Sequence, residues 1–87
     1  MKTLLAACAL ALVGSAASAQ DLCEELWAER NAIYADAGYC FATERGRAAF
    51  GNEGCRFRSQ ADVPLSARNR ADIAAIQRRE AALGCPR

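Results

Sequence analysis

The sequence predicts an all-α fold: a small helical domain with antiparallel first and last helices, a short middle helix and an ordered loop, stapled by two disulfides. Three observations carry that expectation. Two stretches, 21–36 and 66–83, place apolar residues at helical spacing between recognisable start and stop residues. The segment between them is punctuated by Gly51, Gly54 and Pro64. Four cysteines, Cys23, Cys40, Cys55 and Cys85, stand in a chain short enough to need covalent support.

The leading residues are set aside first. Met1 and Lys2 are followed by an apolar stretch, Leu4 to Val13, and then by Ala17-Ser18-Ala19, a small-x-small cleavage signal before Gln20. Residues 1–19 are therefore expected to be a secretory signal peptide, removed to leave a single domain over 20–87. The stretch falls well short of the about 20 apolar residues that a membrane-spanning helix requires, and no later stretch approaches that length. Leu5-Ala6-Ala7-Cys8 resembles the cleavage box of bacterial lipoproteins. Cys8, however, lies inside the apolar stretch with almost none of it upstream, so an ordinary signal is expected in place of a lipid anchor. The destination is the periplasm or the exterior, an oxidising setting in which an even number of cysteines implies two disulfides.

The first helix is expected from Asp21, an acidic cap followed three residues later by Glu24, to about Asp36. Projected at about 100° per residue, Leu22, Ile33, Leu26, Arg30, Cys23, Tyr34 and Trp27 share one side, and the acidic residues take the other. Gly38 then sits where a helix ends in a left-handed residue, with Tyr39 placed to fold back on Tyr34 or Ile33. The middle helix runs from a Thr43 cap to Phe50 and stops at Gly51. Gly46 in its interior costs about 1 kcal/mol relative to alanine, so packing has to hold it. Residues 51–65 form an ordered loop in which Arg56-Phe57-Arg58 alternates in the manner of a strand but is too short to be one. The third helix starts after Ser66, passes Ile73 and Ile76, and ends at Leu83 before Gly84 and Cys85.

If the outer helices pack antiparallel, Cys23 lies beside Cys85 and Cys40 is left to pair with Cys55. In the loop-entropy account the longer closure contributes roughly 4 kcal/mol and the shorter roughly 3. The same register carries Glu80, on the apolar side of the third helix, within reach of Arg30, on the apolar side of the first. A buried Arg30–Glu80 ion pair is expected, because charges inside small domains are usually paired. The functional rival is that Arg30 grips an acidic ligand.

Arg30-Asn31, Ile33-Tyr34-Ala35, Gly38-Tyr39, Phe41, Phe50, and later Asn69 with Ile73 and Ile76, resemble the YARHG domain, a small extracytoplasmic bacterial module. The naming motif reads Tyr34-Ala35-Asp36-Ala37-Gly38 here, with Asp36 and Ala37 at the arginine and histidine positions. The resemblance implies a binding or structural role in the cell envelope without naming a ligand, and any role of the motif histidine is lost in this chain.

Composition excludes several kinds of chemistry. The chain has no histidine, and Lys2 is the one lysine among its 11 basic residues. Beyond residue 19, ten arginines face ten acidic residues, a balance unlike that of a non-specific nucleic-acid binder. The acids gather in Gln20 to Asp36 and the arginines beyond it, so the two halves are expected to attract each other. With cysteines in disulfides, serine or cysteine triads and zinc sites lack their parts, and no cofactor is expected. A carboxylate-based glycan hydrolase built from Glu24, Glu25 or Glu29 with Glu44 or Glu53 is a remote alternative, since so small a chain has little room for a cleft. The chain is therefore expected not to be an enzyme.

A binding surface has more support. Arg45, Arg47, Arg56 and Arg58, interleaved with Phe50 and Phe57 around the Cys40–Cys55 loop, form a candidate patch for an anionic cell-envelope polymer or an envelope protein. The competing account places the phenylalanines in the core and leaves the arginines as solvated surface charge. A secreted inhibitor or toxin-like partner remains a further alternative, and a monomer is expected.

Overall fold

The computed structural model describes residues 18–86; the apolar stretch 4–13, Cys8 and Arg87 lie outside the described residues. Helix α1 spans Ala19–Asp36, α2 Glu44–Phe50 and α3 Ala67–Leu83, with one 3-10 turn at Gln60–Asp62. No strand is present among the described residues; a single parallel bridge joins Tyr39 to Phe57.

Each helix begins where a hydroxyl can accept a first-turn amide. Thr43 accepts from Gly46 N–H and Ser66 from Asn69 N–H, both at 3.0 Å. The start of α1 differs from the expectation at Asp21. Ser18 is the cap, accepting Asp21 N–H at 3.1 Å on its hydroxyl and Leu22 N–H at 3.0 Å on its carbonyl. The chain is continuous through Ser18, so a serine one turn earlier satisfies these donors before Asp21 can act as a cap.

Both long helices stop by the same device. At the end of α1, Gly38 adopts φ +98°, its N–H bonds Ala35 C=O, and Tyr39 N–H bonds Tyr34 C=O at 3.0 Å. At the end of α3, Gly84 N–H bonds Ala81 C=O and Cys85 N–H bonds Glu80 C=O at 2.9 Å. This is the Schellman pairing, and at α1 its fold-back brings the Tyr39 ring edge-on to Tyr34, centroids 5.8 Å apart.

Helices α1 and α3 pack antiparallel. Cys23 bonds Cys85 with their Cα atoms 5.5 Å apart. Seven residues further along α1, Arg30 meets Glu80, five residues back from Cys85. The buried apolar residues are Leu26 of α1, Ile73 and Ile76 of α3, and Phe41 and Val63 of the intervening segment. Leu83, at the open end of α3, is exposed.

Between the outer helices the chain is held by side chains. Cys40 bonds Cys55, their Cα atoms 5.1 Å apart. The Asn52 amide clasps the backbone of Phe41 at both polar atoms, accepting its N–H at 2.7 Å and donating to its C=O at 3.0 Å. Trp27, Phe50, Phe41 and Tyr39 form a run of rings with successive centroids 5.9, 5.2 and 4.9 Å apart. Gly46 belongs to that packing. A Cβ there would stand 2.6 Å from Phe41 Cδ1 and 2.9 Å from its Cβ. Glycine inside α2 is thus what lets the Phe41 ring lie against the helix backbone, and that contact offsets its poor helix propensity.

Candidate functional site

The Arg30–Glu80 pair is bidentate, with Arg30 Nε donating to Glu80 Oε1 at 2.8 Å and Nη2 to Oε2 at 3.0 Å. This parallel fork is the strongest arrangement the two groups can make. The pair is less enclosed than expected: the side chains retain 20% and 13% of their exposure. It lies at one edge of the α1–α3 interface and borders a cavity of about 380 Å³ with Gln77, Cys85 and Pro86. Both charges are committed to each other, and the pair ties the helices in the register that the Cys23–Cys85 bond sets.

The arginines of the candidate patch divide into two groups. The Arg45 guanidinium stacks 3.8 Å from the centre of the Trp27 ring, and its Nη2 donates to Glu24 at 2.7 Å. Arg47 donates to Ala42 C=O at 2.9 Å, fastening the chain that leads into α2. These two side chains are part of the scaffold. The Arg45–Glu24 pair is also where the acidic first helix attracts the basic remainder of the chain, whereas Arg30–Glu80 runs in the opposite sense.

Arg56 and Arg58 stand differently. Both are exposed, and neither has a carboxylate partner within 4.0 Å among the described residues. The Arg56 guanidinium lies 5.5 Å from the centre of the Phe57 ring. Phe57 itself is half-buried, and its ring edge would stand 3.3 Å from a Cβ at Gly38. Arg56 N–H and Phe57 N–H both bond Gly38 C=O, at 2.8 and 3.0 Å, so the end of α1 positions this strip of backbone directly.

Arg56 lines an open cavity of about 450 Å³ together with Asp36, Tyr39, Phe50 and Glu53. Ala35 and Gly38 line it as well, so three of the five motif residues 34–38 border one concavity. Arg45 lies instead on a separate groove of about 320 Å³, beside Trp27, Arg30, Asn31 and Gln60. Arg45 and Arg56 therefore border different concavities.

Two contributors escape sequence patterning. Asn31 is 5% exposed, and its amide donates to Trp27 C=O at 2.9 Å. It lies about 40° beyond Trp27 on the helical projection, so an extended apolar arc is the signal that would have found it. Asn52 follows a helix-stopping glycine and carries no periodic signal at all.

The serine and threonine hydroxyls among the described residues all serve as caps. Ser18, Thr43, Ser59 and Ser66 each accept a backbone N–H at the start of a helix or turn, and all four cysteines between residues 18 and 86 are in disulfides. Among the described residues no group of three or more histidine, cysteine, aspartate or glutamate side chains is arranged to hold a metal ion. No helix among them is long and apolar enough to cross a membrane.

These features define a small disulfide-stapled helical domain, one of whose concavities lies at the end of its first helix. The sequence model of the YARHG domain matches residues 2–81, and the chain belongs to that family. The YARHG domain is a small extracytoplasmic domain, and two disulfides fit a protein exported to such a setting. No curated protein and no solved structure matches the chain at a significant level.

Proposed function

We propose that this chain is a non-catalytic binding module of the cell envelope, exported by the signal in residues 1–19, cleaved after Ala19, and active as the domain 20–87. One observation carries the proposal: the family-defining stretch and the Cys40–Cys55 loop border a single cavity, and the basic side chain there, Arg56, has no carboxylate partner within 4.0 Å among the described residues. An unpaired guanidinium beside aromatic rings is a ready acceptor of anionic groups, since it forms forked hydrogen bonds without first breaking an internal ion pair. The proposed occupant is an anionic envelope polymer or an acidic surface of an envelope protein engaged at Arg56, with the carboxylates of Asp36 and Glu53, which also line the cavity, confining an anionic group to the arginine side. A catalytic role is disfavoured because the serine and threonine hydroxyls of residues 18–86 serve as caps and the chain contains no histidine to act as a base.

The two arginine groups give the test. Purified mature protein is incubated with isolated cell-wall sacculi and with envelope extract, and retention is measured for three proteins. Wild type is expected to be retained, and the pair Arg56→Ser with Arg58→Ser to be released. The pair Arg45→Ser with Arg47→Ser is expected to be retained but less stable. Failure of wild type to bind either material, or equal retention of the Arg56/Arg58 variant, overturns the proposal.

A further inference from the structure

We infer that the mature protein begins with a cyclised residue, Gln20 closing on its own amine to form pyroglutamate. The inference rests on cleavage after Ala19 and goes beyond it. Ser18 holds the first turn of α1 through two contacts, its hydroxyl with Asp21 N–H and its carbonyl with Leu22 N–H. Cleavage removes both, along with the residue that starts the helix. The next residue able to cap is Asp21, with Glu24 three positions on, the pairing of a capping box. Gln20, an exposed first-turn residue of α1 while Ser18 is present, then precedes the new cap, with its new α-amine next to its own side-chain amide.

The step balances without any co-reactant. The neutral α-amine nitrogen attacks Cδ of the Gln20 side chain, and the N–Cδ bond forms as the Cδ–Nε2 bond breaks. Nε2 departs as ammonia, carrying the proton shed by the amine. The product is a neutral lactam whose ring has the size of proline's. Such a ring is tolerated at the head of a helix, where the first N–H groups have no intrahelical partner. Charge favours the same outcome. A free amine is largely protonated at neutral pH, and a cation at a helix N-terminus opposes the macrodipole. Cyclisation removes that cation. The Cys23–Cys85 bond anchors the helix one turn further on, so the rearrangement is confined to the terminus.

The test is intact-mass and N-terminal peptide analysis of protein exported and purified from cells, then held at neutral pH. A mass one ammonia below that of chain 20–87 with two disulfides, together with resistance to aminopeptidase, is expected. The variant Gln20→Asn cannot close a ring of that size and is expected to keep an open amine and be trimmed. A chain starting at Gln20 whose amine stays open throughout overturns the inference while leaving the cleavage site standing. A terminus at any other residue overturns both.

Discussion

The two outer helices and the segment between them solve the same problem by different means. Along α1 and α3 the backbone satisfies itself, so side chains are left to pack and pair: Leu26, Ile73 and Ile76 are buried in the core, Cys23 bonds Cys85, and Arg30 pairs with Glu80. Residues 37–65 have only seven in α-helix, and their backbone groups must find partners elsewhere. Asn52, Thr43, Ser59 and Arg47 all serve that need. The lesson is that irregular chain consumes polar side chains as structure. What remains uncommitted in that segment, Arg56 and Arg58 above all, is the part available to a partner.

Cutting the staple of the helical pair is the strongest way to break this contrast. Replacing both Cys23 and Cys85 by serine should destabilise the protein by about 4 kcal/mol, a large share of what a small domain has. Urea unfolding measures it. The corresponding change at Cys40 and Cys55 should cost less, because it closes a loop of 15 residues against 62. Equal losses would mean that the middle segment is not the weaker constraint.

The ion pair comes next. Arg30→Met leaves Glu80 partly enclosed without its fork, and should cost about 2–3 kcal/mol, below the figure for a fully buried pair because both side chains keep some exposure to solvent. The double change Arg30→Met with Glu80→Leu should recover most of the loss, since apolar side chains of similar volume fill the same edge of the interface. A double-mutant cycle followed by thermal melting decides it. Were Arg30→Met to leave the melting temperature unchanged, the pair would have no structural role and Arg30 would be open to a ligand.

In the middle segment the comparable contact is the Asn52 clasp. Asn52→Ala deletes two hydrogen bonds to the backbone of buried Phe41 and should cost about 2 kcal/mol. Hydrogen exchange at Phe41 N–H should speed up more than at Ile73 N–H, because the helical amide keeps its own partner.

Regularity also explains which features were legible. The stop of α1 and the extent of α3 follow from the spacing of Leu26, Trp27, Ile33, Ile73 and Ile76 and from the glycines that end each helix, whereas α1 starts earlier than Asp21, at the Ser18 cap. Once the helices are antiparallel, the pairings Cys23–Cys85 and Arg30–Glu80 follow from the register. The middle segment has no period, so nothing in the order Gly51-Asn52-Glu53 announces that Asn52 reaches back eleven residues to Phe41. The sequence groups the candidate patch as one for the same reason. Four arginines near in sequence look equivalent until the fold assigns Arg45 to Trp27 and Glu24 and leaves Arg56 beside the cavity. Gly46 is the intermediate case: its cost to the helix was plain, but the ring that requires it was not.

That glycine supports the smallest and most discriminating prediction, because two effects of opposite sign meet there. Gly46→Ala improves intrinsic helix propensity by about 1 kcal/mol. The new methyl would sit 2.6 Å from Phe41 Cδ1 and 2.9 Å from Phe41 Cβ and Cγ, so the whole side chain has to move and not only its tip. Movement is resisted on two sides, by Asn52 holding the Phe41 backbone and by Phe50 and Tyr39 bracketing its ring at 5.2 and 4.9 Å. Overpacking of this kind costs about 2 kcal/mol, and the net should be a loss of about 1 kcal/mol, or a fall of roughly 4–8 °C in Tm for a domain of this size. Combining the change with Phe41→Leu frees the side chain from its bracketing rings but keeps Cβ and Cγ, so the loss caused by alanine at this position should shrink without turning into a gain. If alanine is stabilising with Phe41 still present, the middle segment is looser than its bracketing rings imply, and Gly46 is retained for something other than the contact with Phe41.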